Sequence, residues 1–177
     1  MNMIDNDSVI TVRVCSEVKE KLLMESKKKS ITLNALIGQV LIKHIKWDMF
    51  VGDVGLIFLT KSCFKNFLQQ MDEKAVRAIS SSVCKEEMRN ATIFLKEDVN
   101  IDNFLEVFDM WLESSHIPFR HIINTKHHYV MQHDLGRKWS IYITTMTAAL
   151  LADMGYKMIN QKIEDHSITF TIEQMPK

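Results

Sequence analysis

Histidine is the residue type whose spacing in this chain first points to chemistry. Five of the 7 histidines, His116, His121, His127, His128 and His133, crowd into one stretch. They lead into the run His127-His128-Tyr129-Val130-Met131-Gln132-His133-Asp134-Leu135-Gly136-Arg137-Lys138-Trp139-Ser140. Strand alternation puts His127, Tyr129, Met131 and His133 on one face, because successive side chains point to opposite sides. Imidazole together with a thioether suits copper or another late transition metal. Further on, Gly136 permits close backbone approach, and Arg137 and Lys138 open a helix whose free amide hydrogens favour an anion. His127, Met131, His133, Arg137 and Lys138 are therefore the candidate ligand or metal site. The competing reading makes the histidines sheet-surface and core-edge residues, with Asp134 capping the helix and Trp139 in the core. No metal or other cofactor is established by these positions.

A second segment speaks a different chemistry. Val9-Ile10-Thr11-Val12-Arg13-Val14 alternates like a strand, with Ile10, Val12 and Val14 on one side and Val9, Thr11 and Arg13 on the other. A lone strand needs a partner, and a second copy of itself is the simplest one. The resulting antiparallel ribbon would fit the major groove of double-stranded DNA. Arginine binds guanine in bidentate fashion, threonine serves either polarity, and an apolar side chain touches the thymine methyl.

The elements after this segment are short and helical. Ser16 is expected to cap a first helix, with Glu17 and Glu20 in its first turn and Lys27, Lys28 and Lys29 at its end, as the helix dipole favours. Val18, Leu22 and Ser26 form its stripe. The turn reads Lys29-Ser30, where glycine is the usual choice for positive φ. A second helix starts near Thr32 and carries Leu33, Leu36, Ile37, Val40, Leu41 and Ile45 at helical spacing.

Thr11-Val12-Arg13-Val14, Ser16-Glu17-Val18 and Ser30-Ile31-Thr32-Leu33-Asn34-Ala35-Leu36-Ile37, in that order, resemble the ribbon-helix-helix DNA-binding family to which Arc and MetJ belong. The resemblance covers residues 8–48. It implies an intertwined homodimer with the ribbon in the major groove. Val9, Thr11 and Arg13 would then read bases, the backbone around Thr32, Leu33 and Asn34 would hold phosphate, and the operator would be roughly palindromic. Such a head on a metal-sensing body is also the layout of the nickel regulators, whose His/Cys ligand spacing differs from the positions here. The His-Asp-Leu-Gly-x-Lys-Trp-Ser segment resembles segments of archaeal regulators that carry this head.

Composition bounds the rest. The chain has 177 residues, 46% of them hydrophobic, and a formal net charge of zero. Residues 1–50 hold eight Lys/Arg and six Asp/Glu, which leaves the body slightly acidic. The polar start has no signal-peptide pattern, and no apolar run is long enough to span a membrane, so a cytoplasmic protein is expected. Cys15, Cys63 and Cys84 stand at no ligand-like spacing and read as free thiols. P-loop, G-x-G-x-x-G, G-x-S-x-G and H-E-x-x-H patterns are absent, so an enzyme is not expected.

The expected fold is α+β. Residues 1–50 form the ribbon-helix-helix head, and 54–177 form a domain with a small, mostly antiparallel sheet that senses a ligand or mediates oligomerisation. Its elements are a buried strand at Leu56–Leu59, a helix capped by Ser62 with Phe64, Phe67, Leu68 and Met71 on one face, and a helix from Asp72 to Met88 with Val76, Ile79 and Val83 inward. A helix after Asn100 carries Ile101, Phe104, Leu105, Phe108, Trp111 and Leu112. Strands follow at 119–124 and 127–133, then a helix from Arg137 to Met154 and a strand from Ser167 to Glu173. The expected function is a sequence-specific DNA-binding transcriptional regulator, dimeric or a tetramer on DNA, with a small molecule or metal as the candidate effector. Two alternatives stay open: an antitoxin, and a small-molecule- or metal-binding α+β protein whose N-terminal segment only dimerises.

Overall fold

The computed structural model describes residues 9–176. The first eight residues of the expected head lie outside them. The chain divides into two compact units, Met1–Met49 and Phe50–Lys177.

In the first unit, residues 9–14 carry no strand and the helices are α1 (Ser16–Lys28) and α2 (Leu33–Lys46). The expected strand is thus absent from the single chain. Strand is defined by a paired backbone, and the described residues of this unit supply no second strand. Cys15, not Ser16, occupies the N-cap of α1 and makes no side-chain bond there. The turn after α1 is a complete Schellman motif: Ile31 N–H donates to Ser26 O and Ser30 N–H to Lys27 O, both at 3.0 Å. It requires Ser30 to take φ 56°, the left-handed region. Thr32 then caps α2, its hydroxyl oxygen accepting from Ala35 N–H at 3.1 Å.

In the second unit, Leu56–Leu59 is neither a strand nor buried; Phe58 is 92% exposed. The four strands of the sheet all come from the C-terminal third, and this apolar run joins neither open edge. Thr60, not Ser62, caps α3 (Lys61–Gln70) by accepting from Cys63 N–H. Leu68 is buried in α3, but Phe67 faces water. Asp72 caps α4 (Glu73–Ile79), which continues through a π-turn at Ser80–Cys84 into α5 (Lys85–Lys96).

That π-turn corrects the expected inward face. Ser80, Ser81 and Ser82 each donate a hydroxyl hydrogen to the carbonyl four residues back, a bond that competes with regular helix geometry. The wider turn shifts the phase by one residue. Val76, Ser80, Met88 and Thr92 are buried, and Ile79 and Val83 point outward.

Asn100 caps α6 (Ile101–Ser114), whose Phe104, Leu105, Val107, Phe108 and Leu112 are buried. Four antiparallel strands follow: β1 (Phe119–Ile123), β2 (His127–Gln132), β3 (Tyr156–Ile163) and β4 (Ser167–Gln174), in spatial order β1-β2-β4-β3. Helix α7 (Arg137–Asp153) links β2 to β3 and packs on β3 and β4 as well as on α3, α4 and α5. The unit is α+β, with helices on one face of an antiparallel sheet. Strand β3 escapes the sequence reading because a bulge between Ile159 and Lys162, with Asn160 at φ 53°, breaks its alternation. No helix among the described residues is long and apolar enough to cross a membrane.

Two substitutions test these assignments. Ser30→Gly relieves the left-handed turn and is expected to stabilise the chain by about 0.5–1 kcal/mol, the balance of backbone strain and glycine entropy. Thr147 in α7 is fully buried with no partner for its hydroxyl. Thr147→Val keeps the shape and removes the orphaned group, so urea unfolding is expected to show a gain of about 1 kcal/mol.

Candidate functional site

The first unit presents the residues expected to meet DNA. Val9, Thr11 and Arg13 are exposed, Val9 to 95%. The alternating apolar set is exposed too: Ile10 by 72%, Val12 by 64% and Val14 by 49%. At the start of α2, the Thr32 hydroxyl occupies the Ala35 amide and the Thr32 carbonyl accepts from Leu36. The amides of Leu33 and Asn34 stand at the open end of the helix, where the dipole favours an anion. Three lysines nearby in sequence are already engaged, Lys21 by Glu17, Lys29 by Glu25 and Lys43 by Asp48.

The second unit scatters the five residues expected to share a ligand. Met131 is fully buried in the core. Arg137 donates to Ile163 O at 3.0 Å. Lys138 donates to Gln69 O at 2.8 Å and to Met71 O, closing the end of α3. His133 bonds to Ser140, and His127 bonds to His121. His127, Met131 and His133 do alternate onto one side of β2, but that side faces the core, and the strand carries its two ends roughly 20 Å apart. No group of three metal-ligating side chains occurs among the described residues. Nor does Asp134 cap α7. Gly136, at φ 83°, holds the N-cap without a side-chain bond, and Asp134 O accepts from Lys65 Nζ at 2.8 Å.

His133 is locked as a neutral imidazole. Ser140 Oγ–H donates to Glu164 O at 2.6 Å, so at 2.9 Å His133 Nε2–H must donate to Ser140 Oγ. His133 Nδ1 then accepts from Leu135 N–H. Burial, with His166 adding like charge, pulls its pKa down to about 4.

What the sequence reading missed is a carboxylate–imidazole chain between α6 and the β1–β2 hairpin. Tyr129 Oη–H donates to Asp109 Oδ1 at 2.7 Å, and His121 Nδ1 lies 2.7 Å from Asp109 Oδ2. His121 Nε2 lies 2.9 Å from His127 Nδ1. The His121 ring stacks on Tyr129 with centroids 4.2 Å apart. Burial and Asp109 push the Tyr129 hydroxyl far above its usual range, so it stays protonated and keeps its hydrogen for Asp109; its oxygen also lies 3.0 Å from His121 Nδ1. Burial, followed by His121, lowers the His127 pKa. The faint signal in sequence is Asp109, an acid set beside Phe108 in an otherwise apolar stripe. The arrangement can store or pass a proton, and it has no nucleophile.

Comparison with protein-family models, with curated proteins and with solved structures produced no match.

The buried His133 makes stability depend on pH. Its folded pKa lies below the ordinary 6.5, so the unfolded chain binds the proton more readily. The stabilisation is complete above about pH 6.5 and is lost as pH falls through about 4, with a magnitude on the order of 3 kcal/mol. His133→Gln keeps an N–H donor for Ser140 and cannot titrate. Urea unfolding at the two ends of that window should show most of this acid loss in the wild type and little of it in the variant.

Proposed function

We propose that the chain is a homodimeric, sequence-specific DNA-binding regulator of the ribbon-helix-helix kind. One observation carries the reading. Residues 9–14 hold an alternating apolar row, Ile10, Val12 and Val14, on a backbone that pairs with nothing among the described residues, and the row stands in water. Burying such side chains is worth about 1.5–3 kcal/mol each. A second copy offers the same row and the same unpaired backbone, so one antiparallel ribbon meets both needs. Val40, Leu41 and Ile45 of α2 are also exposed and add to the surface a dimer would cover. The ribbon's other side is then Val9, Thr11 and Arg13, the side that meets base edges. The Leu33 and Asn34 amides beyond the Thr32 cap are the phosphate contacts.

The second unit has its own buried core and serves in this reading as scaffold and further oligomer contact. That weighs against the antitoxin alternative, which would place a short flexible tail after the head. The dispersal of His127, Met131, His133, Arg137 and Lys138 removes the motive for a metal effector at those positions.

Selection of bound sequences from a random DNA pool tests the reading, with Arg13→Ala run beside the wild type. The wild type is expected to enrich a roughly palindromic site. Arg13→Ala is expected to bind that site more weakly by about 1–3 kcal/mol and to lose discrimination at one position per half-site. Val12→Asp, on the apolar side, is expected to yield monomers in sedimentation. A folded, dimeric wild type that enriches nothing would refute base reading by the ribbon.

A further inference from the structure

The Asp109–His121–His127 chain has a property that neither a core histidine nor a surface histidine has: it counts protons. With its carboxylate charged, Asp109 only accepts, and it receives Tyr129 Oη–H and His121 Nδ1–H. The remaining His121 nitrogen, Nε2, is then a lone pair that accepts from His127 Nδ1–H. His127 Nε2 is left at the outer end of the chain, on a half-exposed residue. One added proton settles on that outer nitrogen, or moves to His121 with His127 changing tautomer. In either case a single hydrogen still lies between the two rings, and the bond becomes charge-assisted. A second proton has no such place. It puts N–H against N–H over 2.9 Å and sets two cations side by side.

We propose that Asp109, His121 and His127 form a one-proton latch, closing the β1–β2 hairpin onto α6 while the imidazole pair carries at most one charge and releasing it when both rings are charged. Within the sheet the hairpin end is held by the pairing of His127 with Ile123 and Ile172 and by the His128–Thr171 hydrogen bond, whereas its outer part is open. Ile122 and Ile123 are exposed, and the turn that follows closes on a single backbone bond, Asn124 N–H to Lys126 O at 3.1 Å. The charges around His127 are Asp102 and Asp109 from α6, His121 from β1 and His128 beside it on β2. Lys126, its other chain neighbour, is held by Glu173 of β4. The two α6 carboxylates favour the first proton, and His121 and His128 oppose the second. Burial first, and His121 after it, lower the His127 pKa. His133 titrates on the same strand, but it bonds to α7 and the β3–β4 turn, so its effect reaches β4 and is separable from the hairpin. The latch lies wholly within residues 50–177 and does not depend on DNA binding.

The test follows ring-nitrogen resonances of the full chain by NMR from about pH 8 down to about pH 4.5, with amide protection factors measured at each step. The latch predicts that His121 and His127 titrate as one coupled pair in two steps. At the second step the amides of residues 121–127 should lose about tenfold more protection than Phe170 on β4, whose own loss reports the acid effect of His133. In His127→Gln, His121 should titrate in a single step and the hairpin should keep its protection. Independent single-step titrations of the two rings in the wild type would overturn the latch. So would hairpin protection that only tracks Phe170. Both of these readouts come from the wild type, so they decide the matter even if the variant does not fold.

Discussion

Helix α7 has almost no side facing water, and the second unit is organised by that constraint. Only its ends, at Arg137, Ala152 and Asp153, are exposed. The rest is pressed between β3 and β4 on one side and α3, α4 and α5 on the other. A helix in that position must be apolar nearly all round, and its polar side chains must find partners inside. Trp139, Ile141, Ile143, Met146, Leu150 and Leu151 supply the first requirement. Ser140 and Thr144 meet the second, Thr144 by donating to Ser140 O at 2.7 Å. Ser140 goes further, because its single hydroxyl joins α7 to His133 at the end of β2 and to Glu164 before β4. The crossover is thereby tied at its start to both strands it lies between. Lys138 closes the α3 carbonyls over the same turn, and so the helical layer is registered against the sheet from one place.

The first unit shows the opposite condition. Leu36 and Ser26 are buried, and the Schellman turn and the Thr32 cap satisfy the ends where α1 meets α2. Its local chemistry is complete, but its apolar surface is not covered. Ile10, Val12, Val14, Val40, Leu41 and Ile45 lie in water, an amount of apolar surface that monomeric domains rarely leave uncovered. A unit whose turns and caps are finished but whose hydrophobic face is bare has the form of half an interface. The second unit differs in having an extensive core of its own, although Leu56–Leu59, Phe67, Phe94, Ile122 and Ile123 are exposed there too. What supports a head needing another copy is that so small a unit, with Leu36 as the one large fully buried side chain among its described residues, carries its apolar row on an unpaired backbone.

Much of this was legible in the sequence where periodicity was long and unbroken. The α6 stripe from Ile101 to Leu112, the strands at 119–124 and 127–133, the helix from Arg137 to Met154 and the strand from Ser167 to Glu173 all follow from spacing. The failures have local physical causes. Leu56–Leu59 has a buried strand's composition but joins neither edge of the sheet, β1 or β3. Ile79 and Val83 lost the inward side to a π-turn that hydroxyl–carbonyl bonds of three serines favour. Strand β3 hid behind its bulge. The ligand cluster failed for a geometric reason, since alternation decides which side of a strand a residue takes and says nothing about convergence. The Asp109 chain left only that acid beside Phe108 as a trace, because it joins α6 to β1 and β2 across contacts that only packing creates.

The two histidine systems on β2 show how far environment, and not residue type, decides what an imidazole does. His127 and His133 point to the same side of the strand and differ in what they meet. His133 meets a serine whose hydrogen is already committed to a carbonyl, so it has to be a neutral donor. No carboxylate bonds to it to compensate a positive charge, and acid can only weaken that contact. His127 meets a second imidazole backed by Asp109, so a charge entering there is balanced and the bond survives it. The first arrangement fixes a core, and the second tolerates one change of state within a core. The α7 junction just past the end of β2 is thus fixed, while the responsive chemistry sits at the other end of the strand, beside the exposed Ile122 and Ile123.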